Sequence, residues 1–156
     1  MRICNLGDCA AMVIRDGKMI FRSREQQHSF NFPVQIGTEG KDTPDDGENY
    51  ELDVVDGDIT VVGSDGLFDN VFDNDIIDII AMHLGKKSEG RRDGAQSAAD
   101  ALLKKAREVA EDDRFATSPF QEHAIQEGFY FQGGKVDDIT ILVGLIKNAE
   151  DSPDRR

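Results

Sequence analysis

Ile59-Thr60-Val61-Val62 is an apolar, β-branched run that stops abruptly at Gly63-Ser64-Asp65-Gly66, with Leu67-Phe68-Asp69-Asn70 behind it. Such a run reads as a buried strand. Its end delivers two carboxylates, Asp65 and Asp69, with Gly66 between them. A glycine beside a strand-end aspartate lets the backbone bend and lets another group approach closely. Alone, the stretch needs no more explanation than a strand followed by an Asp-Gly turn. Two echoes change that. Asn5-Leu6-Gly7-Asp8 and Gly133-Gly134-Lys135-Val136-Asp137-Asp138-Ile139-Thr140 also set acid beside glycine at the edge of an apolar pattern. Three such edges in one small chain point to carboxylates gathering around a metal.

The chain has 156 residues, enough for one domain with a real core. Its net charge of −13 argues against a nucleic-acid partner and against an anionic membrane surface, since both would be repelled. The longest apolar run, Ile139 to Ile146, is far too short to span a bilayer. Met1-Arg2-Ile3-Cys4-Asn5 lacks the apolar stretch of a signal peptide. Cys4 and Cys9 are too few for a disulfide framework and fit a reducing compartment or at most one small bridge.

Read in order, residues 2–23 are antiparallel β, with Arg15-Asp16-Gly17-Lys18 as a tight hairpin turn. Arg22 to Phe32 follows no clean period, and a lone His28 there reads as packed or solvated rather than as a ligand. Gly37 to Asn49 is an acidic loop. Tyr50 to Val55 and Ile59 to Val62 read as strands joined through Asp56-Gly57-Asp58. A helix is expected over Asp73–Leu84, with Ile76, Ile79, Ile80 and Leu84 on one face, Asp73 or Asn74 as its cap and Gly85 as its stop. Lys86 to Asp93 is a charged loop, and a second helix covers Ala95 to Ala110. Ser118-Pro119 opens a third, to about Glu127. Gly128 to Gly134 connects to a last strand, Ile139 to Ile146, apolar enough to be central and covered on both faces. Strands, then helices, then one closing strand give an α+β fold, antiparallel strands packed on helices.

Clustered carboxylates repel one another and lose hydration, so they need a compensating cation. Oxygen donors select hard ions such as Mg²⁺ or Mn²⁺. Zinc is disfavoured because the cysteines and His28, His83 and His123 have no ligand spacing. A calcium loop starting at Asp73 would put Asp78 where glycine is required. A phosphoacceptor domain of the receiver type would suit the length, but alternating βα units are missing. Water activated by metal, with an oxyanion substrate oriented beside it, is the chemistry left.

In order, Asn5-Leu6-Gly7-Asp8, Gly63-Ser64-Asp65-Gly66-Leu67-Phe68-Asp69 and Gly134-Lys135-Val136-Asp137-Asp138-Ile139-Thr140 resemble the later motifs of the metal-dependent protein phosphatase 2C family. Gln26-Gln27-His28-Ser29-Phe30-Asn31 and Asp69-Asn70 are similar to its compact organellar subgroup. The resemblance runs from about residue 3 to residue 147 and implies a partial α-β-β-α sandwich. It implies a hydrolase acting on phosphoserine and phosphothreonine proteins through metal-activated water, with Mg²⁺ or Mn²⁺. It makes Asp65 and Asp137 ligands of the catalytic metals, places Asp8 and Asp69 at a weaker site, and gives Asp138 and Gly66 supporting roles. Cys9 replaces the family's usual serine.

The family's Asp-Gly-x-Gly motif, whose aspartate bridges both catalytic metals, has no counterpart here: none of the Asp-Gly pairs at 16, 46, 56, 65 and 93 is followed by the second glycine. Residues 1–147 are therefore expected to be the C-terminal portion of such a domain, followed by a polar tail at 148–156. That piece would be inactive alone, in an intracellular setting (mitochondrial or cytoplasmic), and would dimerise, rearrange or pair with the missing half. The alternative is a non-catalytic regulatory or binding module that retains the fold.

Overall fold

The computed structural model describes residues 1–38, 40–85, 91–114 and 116–149. In chain order the elements are β1 (Arg2–Asn5), β2 (Ala10–Arg15), β3 (Lys18–Arg22), β4 (Gln27–Ser29), β5 (Phe32–Pro33), a 3₁₀ turn at Pro44–Asp46, β6 (Glu48–Glu51), β7 (Ile59–Gly63), α1 (Asp65–Phe68), α2 (Asp73–Leu84), α3 (Arg91–Ala110), α4 (Pro119–Gln126) and β8 (Ile141–Leu145). This is the α+β fold expected. The main sheet runs β3-β2-β7-β8, antiparallel throughout, and β1 pairs with β6 in a separate ribbon.

Asp16 and Gly17 both take positive φ, 48° and 74°, so the β2–β3 link is the two-residue hairpin turn whose twist suits its strands. One face of the sheet carries Met12, Ile14 and Val61 against Ile76 and Ile80 of α2 and Ala98, Leu102 and Ala106 of α3. Small residues on α3 let it lie close. Fully burying a side chain such as Ile76 or Leu102 contributes about 1.5–3 kcal/mol, and both are buried completely.

α2 has the expected bounds, but its cap does not. Phe72 occupies the N-cap position without a side-chain bond, and Asp73 is drawn to Arg22, Oδ1 to Nε 3.2 Å. α4 starts as its sequence predicts, the Ser118 hydroxyl accepting from the Gln121 amide at 3.1 Å. α3 begins at Arg91 rather than Ala95; of the charged loop read over Lys86 to Asp93, residues 86–90 lie outside the described residues. His28 bonds Asp42 across the surface at 2.9 Å, solvated as expected. Cys4 and Cys9 are free thiols.

Two strand expectations are also corrected. The second half of Tyr50 to Val55 is not a strand: β6 ends at Glu51 and pairs with β1, not β7. Asp58 breaks the run by taking the Val55 amide onto its own side chain at 2.9 Å. β8 is not central. It lies at the edge of the sheet, with Leu142 66% exposed. Its neighbour Val62 is 40% exposed on the same face. The helices cover only the other face, so a uniformly apolar strand meets solvent on this one.

Candidate functional site

Antiparallel register explains how three acidic edges, far apart in sequence, become one site. Ala10 opens β2 opposite Gly63, the last residue of β7, and Gly63 in turn faces Ile141, the first residue of β8. The segment before β2, the segment after β7 and the segment before β8 therefore emerge at the same end of the sheet. These carry Asp8, Asp65 and Asp137 respectively.

The junction is stitched past the end of the strands. The Ser64 amide donates to the Thr140 carbonyl at 3.1 Å, and the Ser64 hydroxyl donates to the Asp138 carbonyl at 2.9 Å. The Thr140 amide returns a bond to the same hydroxyl at 3.1 Å. A side-chain carbon on Gly66 would stand 2.5 Å from the Asp138 carbonyl oxygen, so glycine is required there by close approach. Gly66 and Asp138 thus support the site through their backbones, and the Asp138 side chain is exposed. The expected Asp-Gly turn is in fact one turn of helix, α1, which carries Asp65 at its start and Asp69 at its end.

Into this acidic junction comes Lys135. Its Nζ donates to Asp65 Oδ2 and to Asp69 Oδ2, each at 2.8 Å, and lies 3.1 Å from Asp137 Oδ2. It also stands over the Phe120 ring, 5.1 Å from the centroid. Asn70, almost fully buried, fixes the lysine's backbone: its Nδ2 donates to the Lys135 carbonyl at 2.8 Å and its Oδ1 accepts the Lys135 amide at 2.9 Å.

The electrostatics show an excess of negative charge. Burial pushes the Asp69 carboxyl up to about 6 despite its bond to Lys135. Burial also raises Asp8, with the Asp65 charge adding to it. Burial works against the Asp137 carboxylate too, but this group is more open, and Lys135 and the Asp138 amide hold it below the usual range. For Lys135, burial alone would favour the neutral amine; bonds to Asp65 and Asp69 outweigh that and keep the ammonium charged. Among the described residues, Lys135 contacts three of the four carboxylates.

Among the described residues, no three acidic, histidine or cysteine side chains stand as a ready-made metal cage. The place between Asp65, Asp69 and Asp137 belongs to an ammonium. The donor set nonetheless suits a hard divalent ion, because it is all oxygen and burial pushes two of its members towards protonation.

Sequence reasoning brought Asp8, Asp65, Asp69 and Asp137 together but missed Lys135 and the aromatic wall beside it. Phe30 packs against Phe120 and Phe129, centroids 5.1 and 5.3 Å away, and Phe131 meets Phe120 edge-on at 4.7 Å. The available signal was a lone lysine two positions before Asp137 and the density of aromatic residues around Gly128 to Gly134. A cavity of about 460 Å³ adjoins the site between Arg107 and Glu111 of α3 and the stretch from Val136 to Thr140.

No family model matches the chain. The probable protein phosphatase 2C 55 of Arabidopsis thaliana is 39% identical over 144 residues, covering 91% of this chain and 29% of that protein. The protein phosphatase PTC7 homolog of Homo sapiens is 36% identical over 159 residues, covering 97% of this chain and 51% of that one. In three dimensions the chain matches the X-ray structure of the photosystem II phosphatase PBCP with TM-score 0.79 and 33% identity, over 94% of this chain and 58% of that one. The serine/threonine phosphatase PstP/Ppp of Mycobacterium tuberculosis, at 15% identity and TM-score 0.61, shares the fold. The chain spans about half, or less, of the length of these curated relatives.

Proposed function

Because the chain belongs to the protein phosphatase 2C family, we propose that it carries part of the catalytic machinery of a protein serine/threonine phosphatase. The reading rests on one observation: Asp8, Asp65, Asp69 and Asp137 emerge at one end of the sheet, with the Lys135 ammonium against three of them. Asp65 and Asp137 would hold Mg²⁺ or Mn²⁺, with Asp8 and Asp69 beside them. An ion held there supplies Lewis acidity, lowering the pKa of a water and neutralising phosphoryl oxygens. The chain's own groups do the rest. Asn70, Ser64 and the Asp138 backbone keep the carboxylate-bearing segments in register. Phe120, backed by Phe30, faces the Lys135 ammonium at the site.

The phosphoprotein substrate, and pairing with a further segment of a larger domain, belong to the same proposal. The absence of an Asp-Gly-x-Gly motif in these residues leads to the expectation that they turn over slowly by themselves. The test is hydrolysis of a phosphothreonine peptide by this chain with Mn²⁺, with chelator, and as Asp65→Ala. Turnover that needs both metal and Asp65 supports a catalytic site. Metal binding that needs Asp65 without turnover supports an incomplete one. Absence of both favours the non-catalytic module, for which the lysine-filled acidic centre is the supporting observation.

A further inference from the structure

The geometry points to Lys135 as a built-in counter-cation that holds the acidic junction together without metal and competes with a divalent ion for the same carboxylate oxygens. This rests on the metal reading above. Lys135 Nζ contacts Asp65 and Asp69 at 2.8 Å and Asp137 at 3.1 Å. Any ion taking two of those oxygens meets an ammonium already bound to them. Two unit charges about 4 Å apart at a protein surface interact strongly enough to shift an equilibrium far more than tenfold, so ion and ammonium cannot share the place at low cost.

Three further features bear on how far the cation can move. The Lys135 backbone is clamped by both ends of the Asn70 amide, 65 positions away, so only its side chain is free to shift. The ammonium faces the Phe120 ring as well as the acids, which gives it a favourable neighbour when the carboxylates are taken. The lysine side chain is about five-sixths buried, so it is held in the junction rather than waving over it. The ammonium supplies positive charge to Asp65, Asp69 and Asp137 together.

The experiment is calorimetric titration of Mn²⁺ into the wild-type chain, Lys135→Met and Lys135→Arg, with melting temperature measured for each in chelator and in saturating Mn²⁺. The methionine variant should bind Mn²⁺ at least about tenfold more tightly than wild type, and the arginine variant should stay nearer wild type. In chelator Lys135→Met should melt below wild type, and Mn²⁺ should close that gap. Equal or weaker binding by Lys135→Met overturns the proposal and leaves the metal reading intact; no binding by any of the three removes both. Should Lys135→Met fail to fold, the wild-type chain decides by NMR. The Lys135 side-chain signal should move with the Asp65 carboxyl signal as Mg²⁺ is added, and a lysine signal that stays fixed while Asp65 responds overturns the competition.

Discussion

Asp58 enters β7 and Asp65 leaves it, and the two ends treat an aspartate differently. At the first, Arg15 grips Asp58 with two prongs, Nε to Oδ1 at 2.8 Å and Nη2 to Oδ2 at 2.7 Å, and the Val55 amide adds a third bond. The pair is charge-balanced, and the arginine holds the Asp58 carboxyl below its ordinary range. At the second, Asp65, Asp69 and Asp137 share Lys135, and burial raises Asp69 and Asp8. A cavity of about 570 Å³ lies at the balanced end, lined by Ile14, Ile59, Ile80 and Leu84 with Arg15 and Asp58. Size does not make it the site. Its buried acid, Asp58, is already paired with Arg15, whereas the smaller cavity at the other end borders Asp137 of the acidic junction. Matched charges serve the fold; the acidic junction is where a further cation is proposed.

The comparison breaks most sharply in a pair of variants. Asp65→Ala should weaken Mn²⁺ binding by at least about a hundredfold by calorimetry, since even supporting residues around metals cost ten- to a hundredfold. Asp58→Ala should leave Mn²⁺ binding unchanged and lower the melting temperature by roughly 5 °C or more, because Arg15 and the Val55 amide lose their acceptor. Reversed results would show that the roles of the two ends had been exchanged.

A smaller effect separates the ends by pH. Asp69 holds its proton at about 6 in the fold against 3.8 for the free side chain. Between those values the folded chain binds more protons than the unfolded one, so stability falls as pH rises through the window. The metal-free protein should therefore melt at a higher temperature near pH 4.5 than near pH 7, and Asp69→Asn should reduce that difference. Asp58 runs the other way. Its lowered carboxyl adds stability above its free value, and that stability is lost as pH falls below it. Melting curves from pH 3 to pH 8 show both limbs.

The smallest effect lies midway along the strand. Leu142, opposite Val62, is two-thirds exposed, so Leu142→Glu should change stability by no more than about 0.5 kcal/mol in chemical denaturation. A larger loss, or a shift to a smaller species on sizing, would mean that a second copy or a partner covers this face, as an exposed apolar patch invites.

Local pattern carried much of this fold. Asp16-Gly17 fixed a hairpin because those residues accept positive φ; the 3.6-residue period of Ile76, Ile80 and Leu84 fixed α2 at Asp73–Leu84. The strand-to-acid edges at residues 8, 65 and 137 lie at one end of the sheet, and each has a glycine close to another stretch of backbone. Pairings over long separations were not legible. β6 joins β1 rather than β7, β8 ends at an edge, and Asn70 clamps Lys135 across 65 positions. Periodicity says which face of a strand is apolar, but not which neighbour will cover it. Residue type says that an aspartate needs a cation, but only the folded register decides whether Arg15, Lys135 or a metal supplies it.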